Sequence, residues 1–68
     1  MSTVQTYTVT GMTCSHCVAS VTEEVQEIPA VEHVDVVLET GRLTVTSVVP
    51  IEDTAVKTAV QDAGYQLA

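Results

Sequence analysis

The sequence predicts an α+β sandwich, in which two helices cover one face of a four-stranded antiparallel sheet. Two observations carry this prediction. Short stretches of alternating polar and apolar residues indicate strands, and apolar residues at spacings of three and four indicate two helices. Their order along the 68 residues is strand, helix, strand, strand, helix, strand, which leaves room for a single domain over residues 1–68.

The first half of the chain predicts a strand followed by a helix. Positions 4–9 are rich in β-branched and aromatic residues, a composition that favours a strand. The helix that follows is indicated by one apolar stripe, formed by Val18, Val21, Val25 and Ile28. We expect Ser15 to cap its N-terminus, with Thr13 as the competing cap, and Pro29 to end it.

The second half predicts a β-hairpin, a second helix and a short last strand. Apolar and polar residues alternate over residues 31–38, with Leu38 as the last apolar position, and again over residues 43–47. A tight turn over residues 39–42 joins these two strands. Pro50 precedes or opens the second helix, Gly64 stops it, and residues 65–67 form the last strand. This βαββαβ order is that of a ferredoxin-like domain.

Composition and charge exclude several classes of function. A net charge of -7 argues against nucleic acid and against anionic membrane surfaces, because both need a basic protein surface. No apolar run approaches the ~20 residues of a membrane span, and the first five residues do not read as a signal peptide. With only two cysteines, these features predict a soluble protein of the reducing cytoplasm.

The stretch Gly11-Met12-Thr13-Cys14-Ser15-His16-Cys17 carries the chemistry. It lies between the first strand and the first helix, so two sulfurs converge at a strand-to-helix turn, where the helix N-terminus stabilises thiolates. Soft thiolates select Cu(I), zinc or iron–sulfur clusters. A structural zinc site needs four ligands and an iron–sulfur cluster more cysteines, so Cu(I) fits Cys14 and Cys17 best.

In this setting the sequence resembles the heavy-metal-associated domain family, and within it the bacterial cytosolic copper chaperones. The resemblance covers essentially the whole chain. It rests on the cysteine motif, on Glu39-Thr40-Gly41-Arg42 in the hairpin, and on Asp62-Ala63-Gly64-Tyr65 near the end. It implies a non-enzymatic protein that binds Cu(I) through Cys14 and Cys17. It also implies transfer of the ion to the metal-binding domain of a copper-exporting P-type ATPase by ligand exchange.

The resemblance also suggests which residues surround the ion or add a ligand, namely Met12, Thr13, Ser15, His16 and Tyr65. Met12 matches a methionine that packs under the loop that carries the cysteines, and Tyr65 matches an aromatic residue beside the site. Thr13 stands where zinc- or cadmium-selective members usually carry Asp, which favours copper. His16 is a solvated residue of the first helical turn, or it tunes the thiolates.

Other readings of the motif remain open at this point. The chain is also similar to the N-terminal metal-binding domain of a copper-transporting ATPase. A CxxC pair at a strand-to-helix turn is typical of thiol–disulfide redox proteins as well. Mercury-binding relatives form a further alternative. A metal-linked homodimer, in which two motifs share ions through Cys14, Cys17 and His16, is a hypothesis about partners.

Overall fold

A computed structural model describes residues 2–13 and 15–68 and contains the six predicted elements in the predicted order. They are β1 (Thr3–Thr10), α1 (Ser15–Gln26), β2 (Val31–Val37), β3 (Arg42–Ser47), α2 (Asp53–Asp62) and β4 (Gln66–Leu67). The ferredoxin-like fold is therefore confirmed. No helix in the described residues has the length and apolar character that a membrane crossing requires.

The strands form one antiparallel sheet in the order β2-β3-β1-β4. Strand β1 is internal. It pairs with β3 along most of its length, up to Thr8 opposite Arg42, and its last two residues pair with β4, where Val9 lies opposite Leu67. The end of β1, from which the cysteine motif continues, is consequently enclosed by neighbouring chain on both sides.

The core lies between the sheet and the two helices, which pack against each other. All four strands and both helices contribute buried or partly buried apolar side chains to it, and most of the fully buried ones are β-branched. The buried core residues are Val9, Val21, Val25, Leu43, Val45, Val56, Ala59 and Val60. Both helices supply members of this set.

The ends of α1 differ from the prediction. The helix begins at Ser15 itself, so Ser15 is a residue of the first turn and does not precede the helix as its cap. It ends at Gln26, three residues before Pro29. Because a residue that precedes proline is disfavoured in the helical region, the chain leaves the helix earlier. One looser turn follows, in which the Ile28 N–H donates to the Val25 carbonyl at 3.1 Å.

Leu38 is the second difference. The alternation predicted it as the last inward residue of a strand, but β2 ends at Val37, and Leu38 lies in the turn with 38% of its surface exposed. A shift of register between Val31 and His33 also interrupts β2. This irregularity accommodates two consecutive exposed residues, Glu32 and His33, in a strand whose inward positions are apolar.

A polar clasp on β1 holds the segment between β3 and α2. Gln5 Nε2 donates to the Ile51 carbonyl at 2.9 Å, and the Ile51 N–H donates to Gln5 Oε1 at 2.8 Å. Gln5 Nε2 also donates to the Tyr7 hydroxyl at 2.8 Å, and that hydroxyl donates to Asp53 Oδ1 at 3.0 Å. The clasp fixes the start of α2 on the central strand.

The surroundings of Tyr7 alter its acidity. Burial, followed by the hydrogen bond to Asp53 and the negative charge of that carboxylate, raises the pKa of Tyr7 from 10.0 to about 12. A pKa that is higher in the folded than in the unfolded state favours the protonated phenol on folding. The resulting stability is complete below pH 10.0 and is lost as the pH rises toward about 12.

We predict that Tyr7→Phe lowers the free energy of unfolding by about 1 kcal/mol near neutral pH, because one hydrogen bond to a charged group is lost. The difference from the wild type should shrink as the pH rises from 10.0 to about 12, because the phenol ionises in the unfolded wild-type chain from pH 10.0 upward, while the folded protein keeps the proton until about 12. Urea unfolding at a series of pH values measures this difference in unfolding free energy, with Tyr65→Phe as the control. A difference that stays constant throughout this range would contradict the assignment.

Candidate metal centre

The cysteine motif begins where β1 ends. Residues 11–13, which we call the metal loop, join Thr10 at the end of β1 to the start of α1. Cys14 lies outside the residues that the structure describes. Cys17 lies in the first turn of α1 and is buried, with 6% of its surface exposed. The structure therefore places the second predicted thiol at a helix N-terminus and beneath the surface.

This position suits a sulfur that carries negative charge. The first N–H groups of a helix have no partner within the helix, and together with the helix dipole they stabilise an anion nearby. The first turn of α1 contains no acidic residue that would compete for this positive end. The chain has only two Lys and Arg residues, so few basic side chains are available to add to this positive end. A helix start is the kind of position at which proteins stabilise a thiolate.

The other residues of the motif divide into an inner and an outer group. Met12 is half-buried and packs against the apolar core, which ties the metal loop to the interior. Thr13, Ser15 and His16 are exposed. The structure thus directs Cys17 and Met12 inward and leaves a polar rim at the surface.

Tyr65 flanks the metal loop from the other end of the sequence. A Cβ atom added to Gly11 would lie 3.6 Å from Cδ1 of Tyr65, so the aromatic ring lies beside the loop, next to the space that a side chain at position 11 would occupy. Tyr65 is itself half-buried against the core. The structure therefore brings Tyr65 close to the metal loop.

The end of α2 explains how Tyr65 reaches this place. Gly64, with a φ of 96°, takes the left-handed conformation directly after the C-terminal cap. The Tyr65 N–H donates to the Val60 carbonyl at 3.0 Å, and the Gly64 N–H donates to the Gln61 carbonyl at 2.9 Å. These two bonds form a Schellman motif, which reverses the chain within two residues and directs Tyr65 toward the core.

The hairpin turn is a neighbour of the site that the sequence reasoning missed. The turn spans residues 38–41, and the Val9 N–H donates to the Gly41 carbonyl at 2.7 Å, two residues before the metal loop. The sequence indicated only that Gly41 belongs to a turn. Its contact with β1 follows from the pairing register of β1 and β3, which no local pattern specifies.

No other metal centre competes with the cysteine motif in the described residues. Within residues 2–13 and 15–68, no three His, Cys, Asp or Glu side chains converge as a metal site would require. His33, the second histidine, is exposed on β2. The acidic side chains of the helices are therefore best interpreted as a solvated surface.

We predict that Gly64→Ala destabilises the fold by about 1 kcal/mol, because alanine disfavours the left-handed conformation. A Cβ at this position meets no atom within 4 Å, so the cost is conformational and not steric. Urea unfolding measures the loss, and Gly64→Asn is the matched control, since asparagine tolerates this conformation better. Equal losses for alanine and asparagine would contradict the explanation.

The sequence matches the Heavy-metal-associated domain family over residues 6–66. It is 39% identical over 67 residues to the copper chaperone CopZ of Bacillus subtilis (strain 168), with 94% of each chain covered. It is 36% identical over 64 residues to copper-transporting ATPase 1 of Rhizobium meliloti (strain 1021), covering 94% of this chain and 8% of the ATPase. A solved CopZ metallochaperone has a TM-score of 0.90 at 30% identity, over 97% of this chain and 100% of its own.

These similarities cover both the fold and the sequence of the cysteine motif. The family match spans β1 to β4 and includes the whole cysteine motif. The chain corresponds to nearly the full length of the chaperone but only to a small segment of the ATPase. Together they indicate a metal-binding, non-enzymatic protein, as the sequence predicted, and the chain belongs to the heavy-metal-associated domain family.

Proposed function

We propose that this chain is a single-domain cytosolic copper(I) chaperone. It binds Cu(I) through Cys14 and Cys17 and passes the ion to the metal-binding domain of a copper-transporting P-type ATPase. The observation that carries the proposal is the buried thiol of Cys17 in the first turn of α1, directly after the metal loop. Its similarity over nearly full length to a protein named copper chaperone supports the same function.

The choice of metal follows from the donor set. Two thiolates suit a soft ion that accepts few ligands, and Cu(I) has this character among biological metals. A closed zinc site needs four ligands, and the described residues offer no cluster of further His, Cys, Asp or Glu side chains to complete one. The reducing cytosol keeps both the thiols and the copper in the required state.

We assign the surrounding residues by their positions. Met12 supports the metal loop from the core side, and the ring of Tyr65 forms a wall against Gly11. The exposed residues Thr13 and His16 form a rim that leaves an approach for another molecule. Ser15 is exposed as well, in the first turn of α1.

Transfer requires no change in oxidation state. A thiolate of the partner attacks the copper and forms a new Cu–S bond, and one of the original Cu–S bonds then breaks. A second exchange of the same kind moves the ion completely, so the number of Cu–S bonds is conserved. The rim beside the cysteine motif is exposed at His16, and this exposure permits such an approach.

The same exposure of His16 supports a second hypothesis, a metal-linked homodimer. Measuring the size of the protein at increasing equivalents of Cu(I) would detect it.

The alternative is that the chain acts as a metal-binding domain of a copper-transporting ATPase. Its 36% identity to a segment of the Rhizobium meliloti ATPase supports this reading. The chemistry of the site is the same in both cases, and only the direction of transfer differs. An antibody against the domain distinguishes them, because it detects either a small protein or a large membrane-bound one in cells.

We predict that Cys14→Ser and Cys17→Ser each lower the affinity for Cu(I) by more than about 100-fold, beyond the effect typical of a residue that only supports a ligand. Competition with a Cu(I) chelator measures the affinity. Ser20→Ala, about one turn further along α1, is the control and should change it by less than about twofold. If Cys14→Ser still bound one Cu(I) per chain with undiminished affinity, the proposal would fail.

We also expect direct transfer of copper. When the Cu(I)-loaded protein is mixed with the metal-free N-terminal domain of a copper-transporting ATPase, copper should distribute between the two. Ion exchange separates the pair, since this chain carries a net charge of -7. A chelator that is too weak to remove copper from either protein should not intercept it. Interception by this chelator would show that copper is released into solution, which contradicts ligand exchange.

A further inference from the structure

We propose that Gly41, in the β2–β3 hairpin turn, is a positioning residue for the metal site. Gly41 is distant from the cysteine motif along the chain, and it acts on the motif through the end of β1. The inference rests on the proposed function, because its consequence is an effect on Cu(I) binding. Its structural part concerns the metal-free protein and is tested separately.

The contact between the turn and β1 is unusually close. The Val9 N–H donates to the Gly41 carbonyl at 2.7 Å, and the Gly41 N–H donates to the Val37 carbonyl at 2.8 Å. A Cβ atom at Gly41 would lie 2.4 Å from the carbonyl oxygen of Val9, a distance that side chains essentially never adopt. Gly41 also has a φ of 73°, which disfavours other residues. Glycine therefore meets two requirements at position 41: it leaves room for the Val9 carbonyl, and it adopts a positive φ.

The other side of β1 is held equally firmly. Val9 lies opposite Leu67 and Thr10 lies opposite Gln66 in β4, and the Thr10 hydroxyl donates to the Gln66 carbonyl at 3.1 Å. Val9 is buried in the core. The last residues of β1 are thus fixed between the hairpin turn and β4, and the metal loop begins at the next residue.

A side chain at position 41 disturbs this arrangement whichever part moves. If β1 yields, the carbonyl of Val9 shifts and carries the start of the metal loop with it. If the turn yields, the hydrogen bond from Val9 to position 41 breaks, and β1 loses its partner on that side. The rest of the turn, residues 38–40, is exposed and offers no replacement contact in the core. A ligand site needs support within about 0.5 Å, so either movement weakens it.

Chelator competition tests the inference, under conditions in which every variant is fully folded by circular dichroism. Gly41→Ala should bind Cu(I) about 10-fold more weakly than the wild type, a loss of about 1.4 kcal/mol. Gly41→Asn separates the two requirements of the site, because asparagine tolerates a positive φ but carries the same Cβ. Gly41→Asn should therefore bind Cu(I) about as weakly as Gly41→Ala.

Val56→Ala is the matched control. Val56 is fully buried in α2, so its truncation destabilises the core without changing the hairpin turn. It should leave Cu(I) affinity within about twofold of the wild type, since stability alone does not set affinity in a folded protein. If Val56→Ala weakened binding as much as Gly41→Ala, Gly41 would have only a structural role.

Amide chemical shifts of the metal-free protein provide the independent readout. Gly41→Ala should shift the amides of Met12 and Thr13, whereas Val56→Ala should not. Unchanged Met12 and Thr13 amides, or full affinity in both Gly41 variants, would overturn the inference. Weak Cu(I) binding by the wild type would instead contradict the proposed function, while the amide shifts would still test the structural coupling.

Discussion

The pairing of β1 with a strand on each side is the constraint on which the rest of the structure depends. Because β1 is internal, its end is fixed by β3 and by β4, and the chain that leaves it starts from a defined position. The metal loop needs only to cross from this position to the start of α1. Helix α1 is in turn held by the burial of Val21 and Val25 in the core. The site is therefore a short connection between two rigid elements.

The turns at this end of the domain add to the same constraint. Each places a glycine with a positive φ beside the site, Gly41 in the hairpin and Gly64 after α2. The first permits a close approach of two backbones, and the second directs Tyr65 onto the metal loop. At the opposite end, the clasp of Gln5 and Ile51 fixes the start of α2. Helix α2 is thus fixed at both ends, and Tyr65 follows directly after the turn at its C-terminal end.

Much of this could be predicted from the sequence because it depends on local periodicity. The six elements and the strand-to-helix position of the cysteines follow from apolar spacing within a few residues. The prediction placed Leu38 inside a strand because alternation does not reveal where a turn begins. The contact of Gly41 with Val9 and the clasp of Gln5 on Ile51 were not predictable, because they join residues that are about 30 to 46 positions apart. Such contacts depend on sheet register and helix packing together.

X-ray absorption at the copper edge of the protein loaded with one equivalent of Cu(I) tests the central claim most directly. We predict an edge typical of Cu(I) and a first shell of sulfur only, supplied by Cys14 and Cys17, with the signal lost in the double serine variant. A shell that contains nitrogen or oxygen ligands, or copper that remains bound in the same way after both cysteines are replaced, would contradict it.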